Sequence, residues 1–210
     1  MRSSMPYRGV MTPVVRAACR AVFAQFPLES FASWASTVRA LWDEAQFREE
    51  RYAALELVAY RRYANFRTLD ALPLYTYLIT TGAWWDLVDG LATHEVGHLL
   101  REYPQEMNSL VREWSRGSDL WLRRTSIICQ IGYKQSTDQA LLYACIEPSL
   151  SERDFLLRKA IGWALREYAK AEPEAVRRYV AENADRLSGL SRREALKHLG
   201  TRPKTRSNGS

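Results

Sequence analysis

With 210 residues, the chain is long enough for one domain with a sizeable core and at most two small ones. Its 47% hydrophobic and 26% charged residues exclude a disordered polar chain, and the absence of any apolar run of about 18 residues argues against a membrane-spanning helix. The net charge of +6 resides at one end: residues 151–210 hold 14 basic against 8 acidic residues, and residues 1–150 hold 16 of each. A polyanionic partner, nucleic acid foremost, fits that bias; the plainer reading is a solvated face with a basic tail.

Helical periodicity runs throughout, and no segment alternates like a strand. Residues 1–11 lack a long apolar stretch, so no secretory signal is expected. Pro13 opens the first helix, which ends near Phe26 and Pro27. Helices are then expected over 30–43, 49–66, 69–82, 84–102, 104–115 and 118–134, and further over 138–146, 151–170, 173–185 and 191–199. Ser136-Thr137-Asp138 reads as a helix start, Ser191-Arg192-Arg193-Glu194 as a capping box, and Pro173 suits a first turn. The three cysteines, Cys19, Cys129 and Cys145, are odd in number and lack CxxC spacing. A disulfide framework or zinc cage is therefore not expected, a reducing cytosol fits, and Cys129 and Cys145 read as core residues. Residues 1–200 form the expected folded domain, and 201–210 the expected disordered basic tail.

The helices repeat in pairs. Residues 123–127 (Arg-Arg-Thr-Ser-Ile) align with 158–162 (Arg-Lys-Ala-Ile-Gly) at an offset of 35, which also relates Tyr63, His98, Tyr133 and Tyr168. Two helices per period of this size point to a solenoid. Without a tetratricopeptide Trp-Leu-Gly pattern, HEAT-like stacking is preferred: an all-α helical repeat solenoid with a concave groove. Helices 49–66, 84–102, 118–134 and 151–170 would be equivalent members.

His94-Glu95-Val96-Gly97-His98 spells HExxH, the two-histidine, one-glutamate pattern of a zinc hydrolase helix. Arg101 and Pro104 stand where an extended metal motif needs Gly and His, and the remaining histidine, His198, is on the last helix. No substrate-edge strand is in prospect, and His98 shares the tyrosine register. No metal or other cofactor is therefore expected.

A second pattern is more informative. In Trp84-Trp85-Asp86-Leu87-Val88-Asp89, Trp85 and Asp89 share a helix face, while Leu87 and Leu91 can pack inward. A mid-helix Asp is a poor helix former and costly to bury, so it either bonds a neighbouring Arg or serves a ligand. The stretches Trp121-Leu122-Arg123-Arg124-Thr125-Ser126-Ile127 and Arg158–Tyr168 place arginines and Trp163 on further equivalent helices. Trp121 reads as core. Trp85, Asp89, Arg124 and Trp163 can then converge on one groove, where arginines suit phosphates and aromatic faces suit sugars or bases.

These motifs, with the closing Leu190-Ser191-Arg192-Arg193-Glu194-Ala195-Leu196-Lys197 and the opening Pro6-Tyr7-Arg8-Gly9-Val10, resemble the signatures of AlkD-type DNA alkylation repair enzymes, over residues 5–200. That family consists of HEAT-like repeat glycosylases that excise N3- and N7-alkylated purines from duplex DNA without swinging the base into a pocket. The resemblance implies that Asp89 is the catalytic carboxylate, that Trp85 and Trp163 are aromatic walls at the damaged nucleotide's sugar, and that Arg124 contacts the DNA backbone. Tyr7 carries over as a further contact, and Lys159, Arg166, Arg192, Arg193 and Lys197 are expected to hold phosphates. The family often has Phe-Phe where this chain has Leu156-Leu157 after Phe155, so no stacking role is carried to position 156. The expected partner is duplex DNA containing alkylated purines, with bulky adducts included and no obligate protein partner, in the cytoplasm at the nucleoid. A non-catalytic binder of unusual DNA structures and a protein-interaction scaffold are the alternatives.

Overall fold

A computed structural model describes residues 5–199; the expected tail at 201–210 lies outside the described residues. Every regular element among them is helical, as expected. The chain divides into two compact units, one ending at Cys129 and one starting at Gln130.

The first unit holds α1 (Thr12–Gln25), α2 (Phe31–Asp43), α3 (Arg48–Val58), α4 (Leu72–Gly82), α5 (Trp85–Gly90), α6 (Gly97–Glu102), α7 (Pro104–Arg116) and α8 (Leu120–Ile128). Ser30 caps α2 in a reciprocal box with Ser33, so the helix starts on satisfied N–H groups. Its Trp34, Val38 and Trp42 recur at i, i+4 and i+8 and are fully buried. The two indoles stay satisfied: Trp34 Nε1 donates to Leu57 O (3.3 Å) and Trp42 Nε1 to Thr81 Oγ1 (3.0 Å). Gly97 lets α6 touch the end of α8, because a Cβ there would lie 2.5 Å from Cys129 O.

Several expected helices, 151–170 and 173–185 among them, are shorter than the periodicity suggested, and two show why. The stretch 49–66 ends as α3 at Val58 and resumes as a 3₁₀ helix over Arg61–Phe66. Tyr60, Tyr63 and Phe66 recur every three residues, the spacing that a 3₁₀ turn eclipses, and they join Phe23, Phe31 and Trp34 in one aromatic cluster. The stretch 118–134 ends as α8 at Ile128 because Gly132 adopts φ +93, a left-handed backbone that stops a helix.

The second unit holds α9 (Gln139–Ile146), α10 (Phe155–Tyr168), α11 (Pro173–Glu182) and α12 (Gly189–Leu196). Asp138 and Asp154 cap α9 and α10 through their carboxylates. The capping box expected at Ser191 is corrected: Ser188 is the cap and accepts from Ser191 N, since the helix begins two residues earlier. Gly162 makes α10 and α12 close neighbours, with Glu194 Cβ at 2.5 Å and Ser191 O at 3.1 Å from where its own Cβ would stand.

The helix starts at Trp85, Leu120 and Phe155 keep the 35-residue step. The tyrosine register does not mark one shared helix end. Tyr63 and Tyr133 sit at 3₁₀ turns, His98 lies inside α6, and Tyr168 closes α10. No helix of the described residues is long and apolar enough to cross a membrane.

Candidate active site

The site in the first unit is built on α5. Trp84, in extended backbone, precedes the first turn; Leu87 and Val88 point fully into the core, which turns Trp85 and Asp89 outward. Trp85 is 50% exposed. Asp89 receives a two-pronged hold from α8: Arg124 Nε donates to Oδ1 and Arg124 Nη2 to Oδ2, both at 2.7 Å. The Arg124 side chain is 6% exposed and that of Asp89 16%, so a buried guanidinium secures a carboxylate that still reaches the surface. The step between the two residues is 35, the repeat itself. Directly after Gly90 the helix widens into a π turn over Leu91–Val96, a local irregularity common at functional sites.

A second carboxylate on α5 is equally committed. Asp86 accepts from Tyr52 Oη (2.6 Å) and Arg48 Nε (3.2 Å) at Oδ2 and from Arg48 Nη2 at Oδ1. Arg48 is 2% exposed, and its guanidinium lies 5.3 Å from the Trp84 ring centre and 5.8 Å from that of Tyr7. The first turn of α5 is therefore tied to α3 through one buried arginine. Burial and the Asp86 bond push the Tyr52 phenol well above the ordinary tyrosine range, so it stays a donor. Beside this cluster opens a cleft of about 490 Å³, lined among others by Tyr52, Leu55, Glu56, Trp85, Asp86 and His94.

The HExxH residues serve a different end. Glu95 is buried, paired with Arg67 (2.7 Å) and within 3.4 Å of Tyr75 Oη. Burial raises its carboxyl against the opposing pull of Arg67. His98 is held low by burial and Arg67. Among the described residues no three His, Cys, Asp or Glu side chains gather as a metal site would require.

The other expected site residues lie in the second unit. Lys159, Trp163 and Arg166 follow one stripe of α10 at i, i+4 and i+7. Trp163 is half-buried. Lys159 Nζ (3.0 Å) and Arg166 both bond Glu194 of α12. These bonds, Lys159 first, hold the Glu194 carboxyl below its usual range. Arg192, Arg193 and Lys197 are exposed.

The structure thus brings Asp89 and Arg124 together beside Trp85, and sets Tyr7 on the Arg48 cluster. Sequence reasoning missed Arg48, Tyr52, Asp86 and Glu194. Arg48 opens an Arg-Glu-Glu run that reads as a solvated helix start, and nothing in the run betrays its burial. Asp86 stands within the quoted tryptophan motif, and the 35-residue step from Lys159 reaches Glu194.

These features define an all-helical repeat protein with a carboxylate–arginine–tryptophan site. The family model for DNA alkylation repair enzymes matches residues 1–199, and the chain belongs to that family. It is also similar to a solved structure described as a predicted DNA alkylation repair enzyme from Enterococcus faecalis, with 25% identity and a TM-score of 0.84 over 94% of this chain and 90% of that one. No curated protein matches the chain.

Proposed function

We propose that the protein is a DNA glycosylase that hydrolyses the N-glycosidic bond of N3- and N7-alkylated purines in duplex DNA. The observation that carries this reading is the Asp89 carboxylate, fixed by Arg124 at the surface beside the half-exposed Trp85. Membership of a DNA alkylation repair family supports DNA carrying alkylation damage as the substrate.

Alkylation at N3 or N7 makes the purine cationic, so the base leaves without being protonated. The bond from C1′ to the base breaks, positive charge builds on the sugar, and water closes the reaction to give free base and an abasic site. Asp89 stabilises the sugar charge and orients the water. Arg124 holds Asp89 in place through two parallel hydrogen bonds. Trp85 and Trp163 supply aromatic faces to the sugar. Arg124 also contacts the DNA backbone, and Tyr7, Lys159, Arg166, Arg192, Arg193 and Lys197 make the further DNA contacts. No metal, cofactor or protein partner takes part, and the base is not swung into a pocket, which leaves room for bulky adducts. The nucleoid is the place of action.

The test is release of 7-methylguanine and 3-methyladenine from methylated duplex DNA in EDTA. The parent should release both. Asp89→Asn should release neither and still bind DNA. Equal release by the two proteins would sink the reading, and so would no release by either.

A further inference from the structure

The chain ahead of α1 is held in an unusual way. Glu49 sits in the first turn of α3 and is 6% exposed. Its Oε1 accepts the backbone N–H groups of Gly9 (2.8 Å) and Val10 (3.1 Å), and its Oε2 accepts that of Arg8 (3.1 Å). Three consecutive N–H groups can point at one carboxylate because Gly9 takes φ +80. Further pins flank this one. Arg48 N donates to Pro6 O (3.0 Å), and the Arg8 guanidinium lies 3.8 Å from the Phe47 ring centre while bonding Glu50 (3.0 Å).

The apolar side chains of the same segment do not hold it down. Tyr7 is 55% exposed, Val10 39% and Met11 72%. A segment that merely sealed the core would bury its apolar side chains and leave its polar groups in water. Here the order is reversed: a buried carboxylate grips the backbone and the aromatic and aliphatic groups face outward. The strap passes over Arg48, the residue that ties down Asp86 beside Trp85.

We infer that Glu49 is a positioning residue of the DNA-facing surface, fixing the strap of residues 6–11 so that Tyr7 is presented in one place beside the α5 site. The inference rests on the DNA-repair reading above. A tyrosine held this way reaches a phosphate or sugar with its hydroxyl without first ordering six residues of chain, so binding is spared that entropy. Glu49 acts through the strap and touches no DNA itself.

The full chain is compared with Glu49→Gln, Gly9→Ala, Tyr7→Ala and the Glu49→Gln/Tyr7→Ala pair. Gly9→Ala opens the strap without touching α3, since a Cβ there meets no atom within 4 Å and only the backbone is strained. Brief trypsin treatment of the folded protein reads strap opening as cleavage at Arg8–Gly9, and undamaged duplex reads affinity. Glu49→Gln and Gly9→Ala should each speed that cut by about tenfold. Both should weaken duplex binding roughly threefold or more, as should Tyr7→Ala, and the pair should bind no worse than its weaker member. Parental cleavage rates, parental affinity with a freed strap, or additive losses in the pair overturn the inference. If the parent fails to release alkylpurines, the glycosylase reading falls, and the cleavage and binding arms still decide the role of Glu49.

Discussion

Asp89 spends both oxygens on one guanidinium, and that constrains what it does. A carboxylate gripped at Oδ1 and Oδ2 keeps its orientation, which suits electrostatic stabilisation better than a swinging base. Arg124→Lys keeps the charge but has one point donor where two parallel bonds are needed. Its excision rate should fall with duplex affinity little changed, a split that single-turnover kinetics resolves. Arg124→Ala should also cost about 2 kcal/mol of stability in urea unfolding, because Asp89 loses its partner while only 16% exposed. The strap offers a pH test. Burial pushes the Glu49 carboxyl up, but the N–H groups of Arg8, Gly9, Val10 and its own backbone outweigh that and bring it below the ordinary value. A depressed carboxyl adds stability above its unfolded pKa of about 4.3 and loses it as pH falls through the folded value. Protection of the Arg8, Gly9 and Val10 amides, taken relative to each amide's intrinsic exchange rate, should therefore hold at about pH 5 and be lost only below the ordinary carboxylate range. The sequence motif named Trp85, Asp89 and Arg124. It could not reveal Glu49, whose type at a helix start is ordinary and whose partners lie about 40 residues away.

The elements show where local pattern suffices and where it does not. Apolar spacing located most helices, and prolines marked the starts of α7 and α11. The ends were less legible. The 3₁₀ helix at Arg61–Phe66 follows from aromatic packing with Phe23, Phe31 and Trp34, contacts that a helical window does not contain. The start of α12 moved for a similar reason: Ser191, read as the cap, instead sends its hydroxyl to Arg158 O of α10 (2.9 Å). That crossing depends on a missing side chain. Gly162→Ala would drive a methyl into Glu194 Cβ at 2.5 Å and Ser191 O at 3.1 Å, neither of which is a flexible tip. The expected cost is roughly 1–3 kcal/mol, seen as a lowered melting temperature. Because α12 must shift, the hold of Lys159 and Arg166 on Glu194 should loosen with it.

For the whole chain, charge decides how DNA would be held, and it was readable from the start as an excess of basic residues beyond position 150. What the count could not show is how much of that charge is already answered. Lys159 and Arg166 share Glu194, whereas Arg192, Arg193 and Lys197 stand exposed on α12 and after it. The two groups should respond differently to substitution. If the exposed three meet phosphates, changing each to alanine removes one neutralised phosphate and lowers the slope of log K against log salt by about 0.9. Lys159→Ala removes a cation that Glu194 already neutralises in part, so its slope change should be smaller. Glu194→Gln should move the other way, steepening the slope and tightening binding to undamaged duplex by freeing two cations at once. Titrations of one duplex across a salt series measure all five variants on one scale. Equal slope changes for Lys159→Ala and Arg192→Ala would mean that DNA displaces Glu194 on binding, and the stripe on α10 would then count fully among the phosphate contacts.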